Sequence, residues 1–368
     1  MSHDALFVVR EAGREAYFYD RWAALQIDRA LLAGPHEMVG WVRSLHRTDE
    51  PAMVAWLCGA VLVDIDAKRL LHWNDQPFGE GALDRYFLAL LRERWLGWET
   101  RRAMCPLLEF SRALGREPRE LDEARRRAER IDLPSDFFSA RWKGLLTSMS
   151  AEELADWVAV SGEEGVRSAA EHDCWSWVTV RARDGTLFDQ RGEYLGGETV
   201  LRAGPALAEL ARDGGPRPNL LCPGFERDHH ETVFIDEASG AVYWWEAKPS
   251  WMSTAAFCGP RWPGWTLAPE PRGPRGHVER SGRPFAAIRT PSEDVVEWLV
   301  SGLERLLGQS HAPLEWLART AQRLAAEEPG ATVRIETSAT RSEPIGTGSL
   351  DEPLRSRLVA LVAEVDAE

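Results

Sequence analysis

Residues 60–73 read AVLVDIDAKRLLHW, and residues 232–245 read TVFIDEASGAVYWW, 172 positions later. In each stretch, two runs of apolar residues flank a short segment rich in turn-forming residues. This pattern predicts a β-hairpin in both places. We expect strands over Ala60–Asp64 and Leu70–Trp73, and again over Thr232–Asp236 and Ala241–Trp245. The hairpins correspond position by position, which makes them the clearest sign of an internal repeat.

Further short matches occur in the same order on both sides of these hairpins. Ala33-Gly34-Pro35 recurs at 203–205, and Arg94-Trp95-Leu96-Gly97-Trp98 recurs as Arg-Trp-Pro-Gly-Trp at 261–265. The offsets between matching positions stay between 167 and 172 residues. Ordered matches at a nearly constant offset predict a tandem duplication, and two copies indicate a duplicated domain rather than a solenoid.

The predicted repeat contains two hairpins, each followed by a helix, and a final strand. The first hairpin is expected over Leu6–Arg10 and Ala16–Tyr19, and the Gly-Pro pair after it predicts the start of a helix. Apolar spacing predicts a second helix over Leu83–Trp95. The order ββα–ββα–β predicts an α+β fold of about 115 residues, with an antiparallel sheet and helices on one face.

Four segments follow from this repeat. The first α+β repeat is expected over residues 1–118, and the second over residues 172–285. A helical connector at 119–171 separates them. Residues 286–368 are expected to form a helical extension with one short strand at Thr332–Glu336, whose residues alternate between apolar and polar.

Composition and charge exclude several classes of protein. The net charge is −14, with 44% hydrophobic and 28% charged residues, which predicts a globular chain and argues against a nucleic-acid or anionic-membrane partner. The five cysteines form no CxxC pair, so neither a disulfide framework nor a zinc knuckle is indicated. The longest apolar run, Met53–Val63, is shorter than the roughly 20 residues of a membrane-spanning helix. With no signal-peptide pattern at the N-terminus, we expect a cytoplasmic location.

One strand end carries residues that suit metal-dependent chemistry. The strand Ala241–Trp245 runs into Glu246-Ala247-Lys248, and the other strand of its hairpin is flanked by Glu231 and Asp236. This pattern resembles the core of the PD-(D/E)xK nucleases. The resemblance implies Mg²⁺ or Mn²⁺ held by Glu231 or Asp236 together with Glu246, and Lys248 assisting the attacking water. The alternative interpretation is a strand that simply ends in solvated polar residues. The first repeat has Asn74 and Gln76 at these places, so the fold itself does not require the Glu-x-Lys pair.

The chain contains 17 tryptophans, which are suited either to cores or to binding surfaces. Those that recur in both repeats are predicted to pack in the core, namely Trp73, Trp95 and Trp98, and Trp245, Trp262 and Trp265. Those that do not recur are the better candidates for contact with a partner, namely Trp22, Trp175, Trp177, Trp244 and Trp251. Exposed indoles on an acidic surface would suit a basic protein partner.

The sequence favours a non-enzymatic, cytoplasmic protein that binds another protein. No nucleotide-binding glycine loop, zinc-protease helix or nucleophile elbow is present. A toxin-neutralising bacterial immunity protein would be one example, by analogy of composition alone. In this interpretation there is no cofactor. The alternative is a phosphodiesterase or nuclease that uses Mg²⁺ or Mn²⁺ at the second repeat.

Overall fold

The computed structural model describes residues 3–53, 56–75, 83–130, 176–192, 197–213, 226, 231–308 and 352–367. The chain divides into two compact units. The first contains residues from 1–79, 84–115 and 292–368, and the second contains residues from 80–83 and 116–291. Each unit is built on its own β-sheet.

The first unit contains a six-stranded sheet and the second a five-stranded sheet, with strand orders β3-β2-β1-β4-β5-β6 and β8-β7-β9-β10-β11. The strands are β1 (Ala5–Glu11), β2 (Arg14–Asp20), β3 (His46–Thr48), β4 (Gly59–Asp64), β5 (Arg69–Asn74), β6 (Glu99–Arg102), β7 (Ser176–Arg181), β8 (Leu187–Gly192), β9 (Glu231–Asp236), β10 (Ala241–Glu246) and β11 (Thr266–Pro269).

Ten described α-helices accompany these strands. They are α1 (Ile27–Ala33), α2 (Pro35–Ser44), α3 (Asp84–Arg94), α4 (Pro106–Ala113), α5 (Glu120–Arg127), α6 (Gly197–Arg202), α7 (Ala206–Asp213), α8 (Gly273–Arg280), α9 (Ser292–Gly308) and α10 (Glu352–Ala367). Helices and strands together confirm the α+β class.

Both sheets are mixed, so the expectation of purely antiparallel sheets is wrong. The hairpins β1–β2, β4–β5, β7–β8 and β9–β10 are antiparallel, whereas β1–β4, β5–β6, β7–β9 and β10–β11 are parallel. Parallel neighbours arise because the chain crosses back along the sheet between them, through α1 and α2 in the first unit. The hairpin patterns predicted the local pairs and carried no information about these crossovers.

The two units share strand order, pairing direction and several contacts. Arg10 of β1 pairs with Asp64 of β4 (3.0 Å), and Arg181 of β7 contacts Asp236 of β9 (3.2 Å) at the same place in the ladder. The correspondence between the units is what the predicted duplication would produce. The duplication itself remains a prediction.

The first sheet is covered on both faces. Phe7 and Val9 lie in one buried cluster with Ile27 and Leu31 of α1 and Leu91 of α3. Side chains of alternate residues point to the opposite face of a strand. On that opposite face, the Arg10 guanidinium donates to the Ala113 carbonyl of α4 (2.9 Å). The sheet therefore has helices on both sides, which corrects the prediction of helices on one face.

The second sheet shows the same arrangement. Trp177 packs with Val278 of α8 on one face. On the other face, the Gln190 side chain donates to the Ala211 carbonyl of α7 (2.8 Å). The apolar runs Ala5–Val9 and Ala60–Val63 fit this arrangement, because a strand covered on both faces needs apolar residues at consecutive positions.

The predicted C-terminal helices pack against the first unit. Leu358, Leu361 and Val362 of α10 are buried, and the Tyr86 hydroxyl of α3 donates to Asp366 (2.7 Å). Most of the predicted connector at 119–171 and the predicted strand at 332–336 lie outside the described residues. None of the helices that the structure describes is long and apolar enough to cross a membrane.

Candidate functional site

Four strands of the first sheet bring three aspartates and one cysteine to one end of that sheet. Asp4 precedes β1, Asp20 ends β2, Cys58 precedes β4 and Asp75 follows β5. Because β1 and β4 are parallel and each pairs antiparallel with its hairpin partner, all four positions meet at the same edge. We call these four residues, together with Trp22 and Trp56, the acidic end.

Backbone hydrogen bonds hold the acidic end together. The Asp4 carbonyl accepts the amides of Cys58 (2.8 Å) and Gly59 (3.1 Å), and the Cys58 carbonyl accepts the Asp75 amide (2.9 Å). These bonds extend the β1–β4 and β4–β5 ladders by one step beyond the strands. They fix the backbone positions from which the Asp4 and Asp75 side chains extend.

Burial and negative charge alter the protonation of two neighbouring groups. The Asp4 side chain is buried and accepts a hydrogen bond from the Tyr19 hydroxyl. Burial and this carboxylate raise the pKa of Tyr19 to about 12. Burial, followed by the hydrogen bond with Asp75 and the charges of Asp75 and Asp4, raises the pKa of Cys58 to about 12. The thiol is therefore protonated at neutral pH, which excludes it as a thiolate nucleophile.

Two tryptophans lie at the acidic end, and one of them is unusually exposed. Trp56 has 64% of its surface exposed. The sequence did not single it out, because it lies inside the apolar run Met53–Val63. Trp22, a predicted partner-binding residue, is partly exposed, and its ring lies 5.9 Å from that of His3.

The other predicted partner-binding tryptophans do not form an exposed surface. Trp177 is fully buried, with its ring centroid 3.9 Å from that of His277. Trp244 and Trp251 are each 2% exposed. A buried indole offers no area to a partner, so the expectation that these three are exposed is wrong. Trp175 lies outside the described residues.

Four of the six recurring tryptophans are buried, as their presence in both repeats predicted, whereas Trp98 and Trp265 are partly exposed and pack edge-on against Trp95 and Trp262. Trp95 and Trp262 are at most 1% exposed, and their indole nitrogens donate to the carbonyls of Leu31 (2.7 Å) and Leu201 (2.8 Å). Trp73 and Trp245 are also buried. These side chains stabilise the two units and are not available for binding.

The structure brings together two of the predicted metal-binding carboxylates. Glu231 begins β9, Glu246 ends β10, and they lie directly opposite each other in the antiparallel ladder. Both are buried, at 1% and 6% exposure. The Ser253 hydroxyl donates to a Glu246 carboxylate oxygen (3.3 Å). Two adjacent carboxylates could contribute ligands to a hard cation, although burial closes them to a bulky substrate.

Asp236 and Lys248 lie apart from this pair. Asp236 is at the other end of β9, about 16 Å along the strand at the usual rise per residue. There it accepts hydrogen bonds from Arg181 and Ser239. Lys248 is exposed beyond the end of β10. Among the residues that the structure describes, no three His, Cys, Asp or Glu side chains are grouped to hold a metal ion.

A hydrogen-bonded network in the second unit also contains groups that are common in active sites. Thr179 donates to Asp189 (2.6 Å) and lies 2.7 Å from Nε2 of His277. All three side chains are at most 2% exposed. Because the Thr179 hydroxyl donates its only proton to Asp189, its oxygen accepts a hydrogen bond from His277. The Nε2 atom of His277 therefore carries a proton. Burial assigns this network to the core rather than to catalysis.

Comparisons of the chain with protein-family models, with curated proteins and with solved structures found no match.

Proposed function

We propose that this chain is a non-enzymatic binding protein that captures a basic protein partner at the acidic end of its first unit. The observation that carries this proposal is the exposure of Trp56, at 64%, two residues from Cys58 and its neighbouring carboxylates. Tryptophan is among the commonest anchors of protein interfaces, because it buries a large rigid surface at a small cost in conformational entropy.

Charge supports a basic partner. The chain has a net charge of −14, and the segment between β3 and β4 that carries Trp56 also exposes Asp49 and Glu50. Arg21 is the exposed cation next to Asp20, so the acidic end is predominantly but not uniformly negative. An acidic surface raises the rate of encounter with a basic partner, and this steering weakens as salt is added. A basic toxin neutralised by an immunity protein would fit this chemistry.

The test is capture from a lysate of the source cells by the immobilised full chain. Wild type is expected to retain one partner in stoichiometric amount at low salt. Trp56→Ala should reduce its retention at least about tenfold, as expected for loss of an interface anchor. Leu96→Ala is the matched control, because Leu96 is 88% exposed but lies in the turn between α3 and β6.

Salt provides a second criterion for the same experiment. Retention should fall as ionic strength rises from about 0.05 M to about 0.3 M, because screening shortens the reach of surface charge. Failure to retain a stoichiometric partner, or equal retention by wild type and Trp56→Ala, would contradict the proposal.

A divalent-metal phosphodiesterase is the second candidate function, and the opposed pair Glu231–Glu246 favours it. These two residues, with Ser253 behind Glu246, would hold the ion, and a bound Mg²⁺ or Mn²⁺ would activate water for attack on a phosphodiester. The burial of both carboxylates and the distance to Asp236 make this candidate weaker.

Thermal unfolding with and without millimolar Mn²⁺ tests the second candidate. A metal that binds only the folded state raises the unfolding temperature. The rise is expected in wild type and in Asp236→Asn, whose carboxylate lies at the far end of β9, and it should vanish in Glu246→Gln. An equal response of wild type and Glu246→Gln would exclude a metal ion at this pair.

A further inference from the structure

The outer face of helix α10 carries no charged side chain between residues 356 and 367. The opposite side of the helix buries Leu358, Leu361 and Val362 in the first unit. The outer face consists of five exposed residues, which are Ser356, Val359, Ala360, Ala363 and Ala367. At 3.6 residues per turn, they cover about 100° of the helix surface. Val359 is 53% exposed, which is unusual for a large apolar side chain in this structure.

The neighbouring helix α9 shows how a water-facing side looks in the same unit. Its outer side exposes Glu293, Glu297 and Glu304, while Val295 and Leu299 are buried. A helix at the surface normally carries charged residues on the side that faces water, and a helix that is apolar on all sides is normally covered. The outer face of α10 is therefore typical of a helix that another element covers.

The charges beside this face are complementary to themselves. Arg357 and Glu364 are exposed and form an ion pair (2.9 Å), so they lie along the same side of α10, two turns apart. A second α10 that crosses the face in the antiparallel direction, with two-fold symmetry, brings Arg357 of each copy to Glu364 of the other. Pairing Ala360 with Ala363 of the other copy leaves the two charged positions about 3 Å apart along the helix axis, which both side chains can span.

We infer that two copies of this chain associate through the outer faces of α10, antiparallel and with two-fold symmetry. The occupant is a second copy because one face supplies both the cation and the anion that the contact needs. Alanines on the face allow the two helices to approach closely, and Val359 of each copy packs onto the other helix. This association does not involve the acidic end, so it is independent of the proposed function.

The test is sedimentation equilibrium of the full chain from about 5 µM to about 500 µM. A contact of one helix face is at the small end of interface sizes, so we expect a dissociation constant on the order of 100 µM. At the lowest concentration the mass should equal the 41.3 kDa of one chain, and it should rise towards twice that value at the highest.

A glutamate in the middle of the face should prevent the association. Ala363→Glu is expected to weaken it at least about tenfold, because the contact would bury an unpaired charge. Ser301→Glu is the matched control, since Ser301 is exposed on the outer side of α9, and it should change the dissociation constant less than about twofold. Trp56→Ala should associate like wild type.

An exchange of charges tests the antiparallel arrangement. Glu364→Arg places two cations beside the face and Arg357→Glu places two anions there, so each variant alone should associate about tenfold more weakly than wild type. An equimolar mixture should associate like wild type, because every cation then meets an anion. General attraction cannot produce this result, since each substitution changes the net charge of −14 by only two.

Three results would overturn the inference. They are a chain that stays monomeric at about 500 µM, wild-type association of folded Ala363→Glu, and a mixture that associates no better than either charge variant alone. The first is the result expected if residues 309–351 of the same chain, or a different protein, cover the face. Far-UV circular dichroism verifies folding, and the charge exchange carries the test if Ala363→Glu is unfolded.

Discussion

His72 shows how burial sets the charge state of a single residue in this protein. It lies in β5 beside Arg102 of the parallel strand β6, and it is 4% exposed. Burial and the positive charge of Arg102 lower the pKa of His72 to about 3. The imidazole is therefore neutral in the folded protein at physiological pH, while the same side chain titrates near 6.5 when unfolded.

This difference predicts a loss of stability in acid. Since the folded pKa lies below the unfolded one, stability is fully present above about pH 6.5 and is lost as the pH falls towards 3. Between pH 7 and pH 4, the free energy of unfolding should fall about 3 kcal/mol less in His72→Leu than in wild type, as measured by urea unfolding. A His72→Leu variant as acid-sensitive as wild type would refute the role of this residue.

At the scale of elements, two of the repeated sequence segments lie against each other within each unit. The Ala-Gly-Pro turns join two helices in each unit, and the Arg-Trp-x-Gly-Trp segments precede β6 and β11. An added Cβ would lie 3.6 Å from the Arg94 carbonyl oxygen at Gly34, and 2.5 Å from the Arg261 carbonyl oxygen at Gly204. The segments match in sequence because each must pack against the other in its own unit.

Gly204 is the position at which this contact can be tested. Its φ of +66° disfavours other residues, and an alanine methyl would also collide with the backbone of Arg261. We expect Gly204→Ala to reduce the free energy of unfolding by at least about 2 kcal/mol. Gly185→Ala is the control, because Gly185 also has positive φ, at +86°, but has open space where the methyl would lie. It should lose only about 1 kcal/mol in the same urea-unfolding measurement. Equal losses would show that φ alone decides the effect.

At the scale of the whole molecule, the chain returns to its first unit after completing the second. Helices α9 and α10 belong to the unit that contains residues 1–79, although more than 170 residues separate them from it in sequence. Leu361 of α10 is 2% exposed, and Arg357 of the same helix pairs with Glu93 of α3. The C-terminal helices therefore complete the hydrophobic core of the first unit.

Hydrogen exchange can test this organisation. Leu361→Ala leaves a cavity and should destabilise the first unit by about 2–4 kcal/mol. Amides of α3 should then exchange faster, while those of β9 and β10 in the second unit keep their wild-type rates. Val359→Ala, which alters an exposed residue of the same helix, should change neither set. Faster exchange in β9 and β10 with unchanged α3 would contradict this assignment.

The sequence by itself determined the local elements. Alternation and turn residues predicted the hairpin β4–β5 at 60–73 and the hairpin β9–β10 at 232–245, and apolar spacing predicted α3, because such patterns depend on neighbours a few residues away. Recurrence of Trp95 and Trp262 also predicted their burial. For the candidate site, the sequence indicated Trp22 and the acidic charge, and it placed Glu231 and Glu246 on one hairpin.

Tertiary structure decided the crossovers, the faces and the site. The parallel pairing of β1 with β4 joins residues about 50 positions apart, and no local pattern encodes it. The same pairing gathers Asp4, Cys58 and Asp75 beside the segment of Trp56. An indole is buried or exposed according to which distant elements cover it, so Trp56, which no sequence pattern singled out, is exposed, whereas Trp177, predicted to contact a partner, is buried. The physical reason is that exposure is a property of the packed chain, whereas hydropathy is a property of the residue.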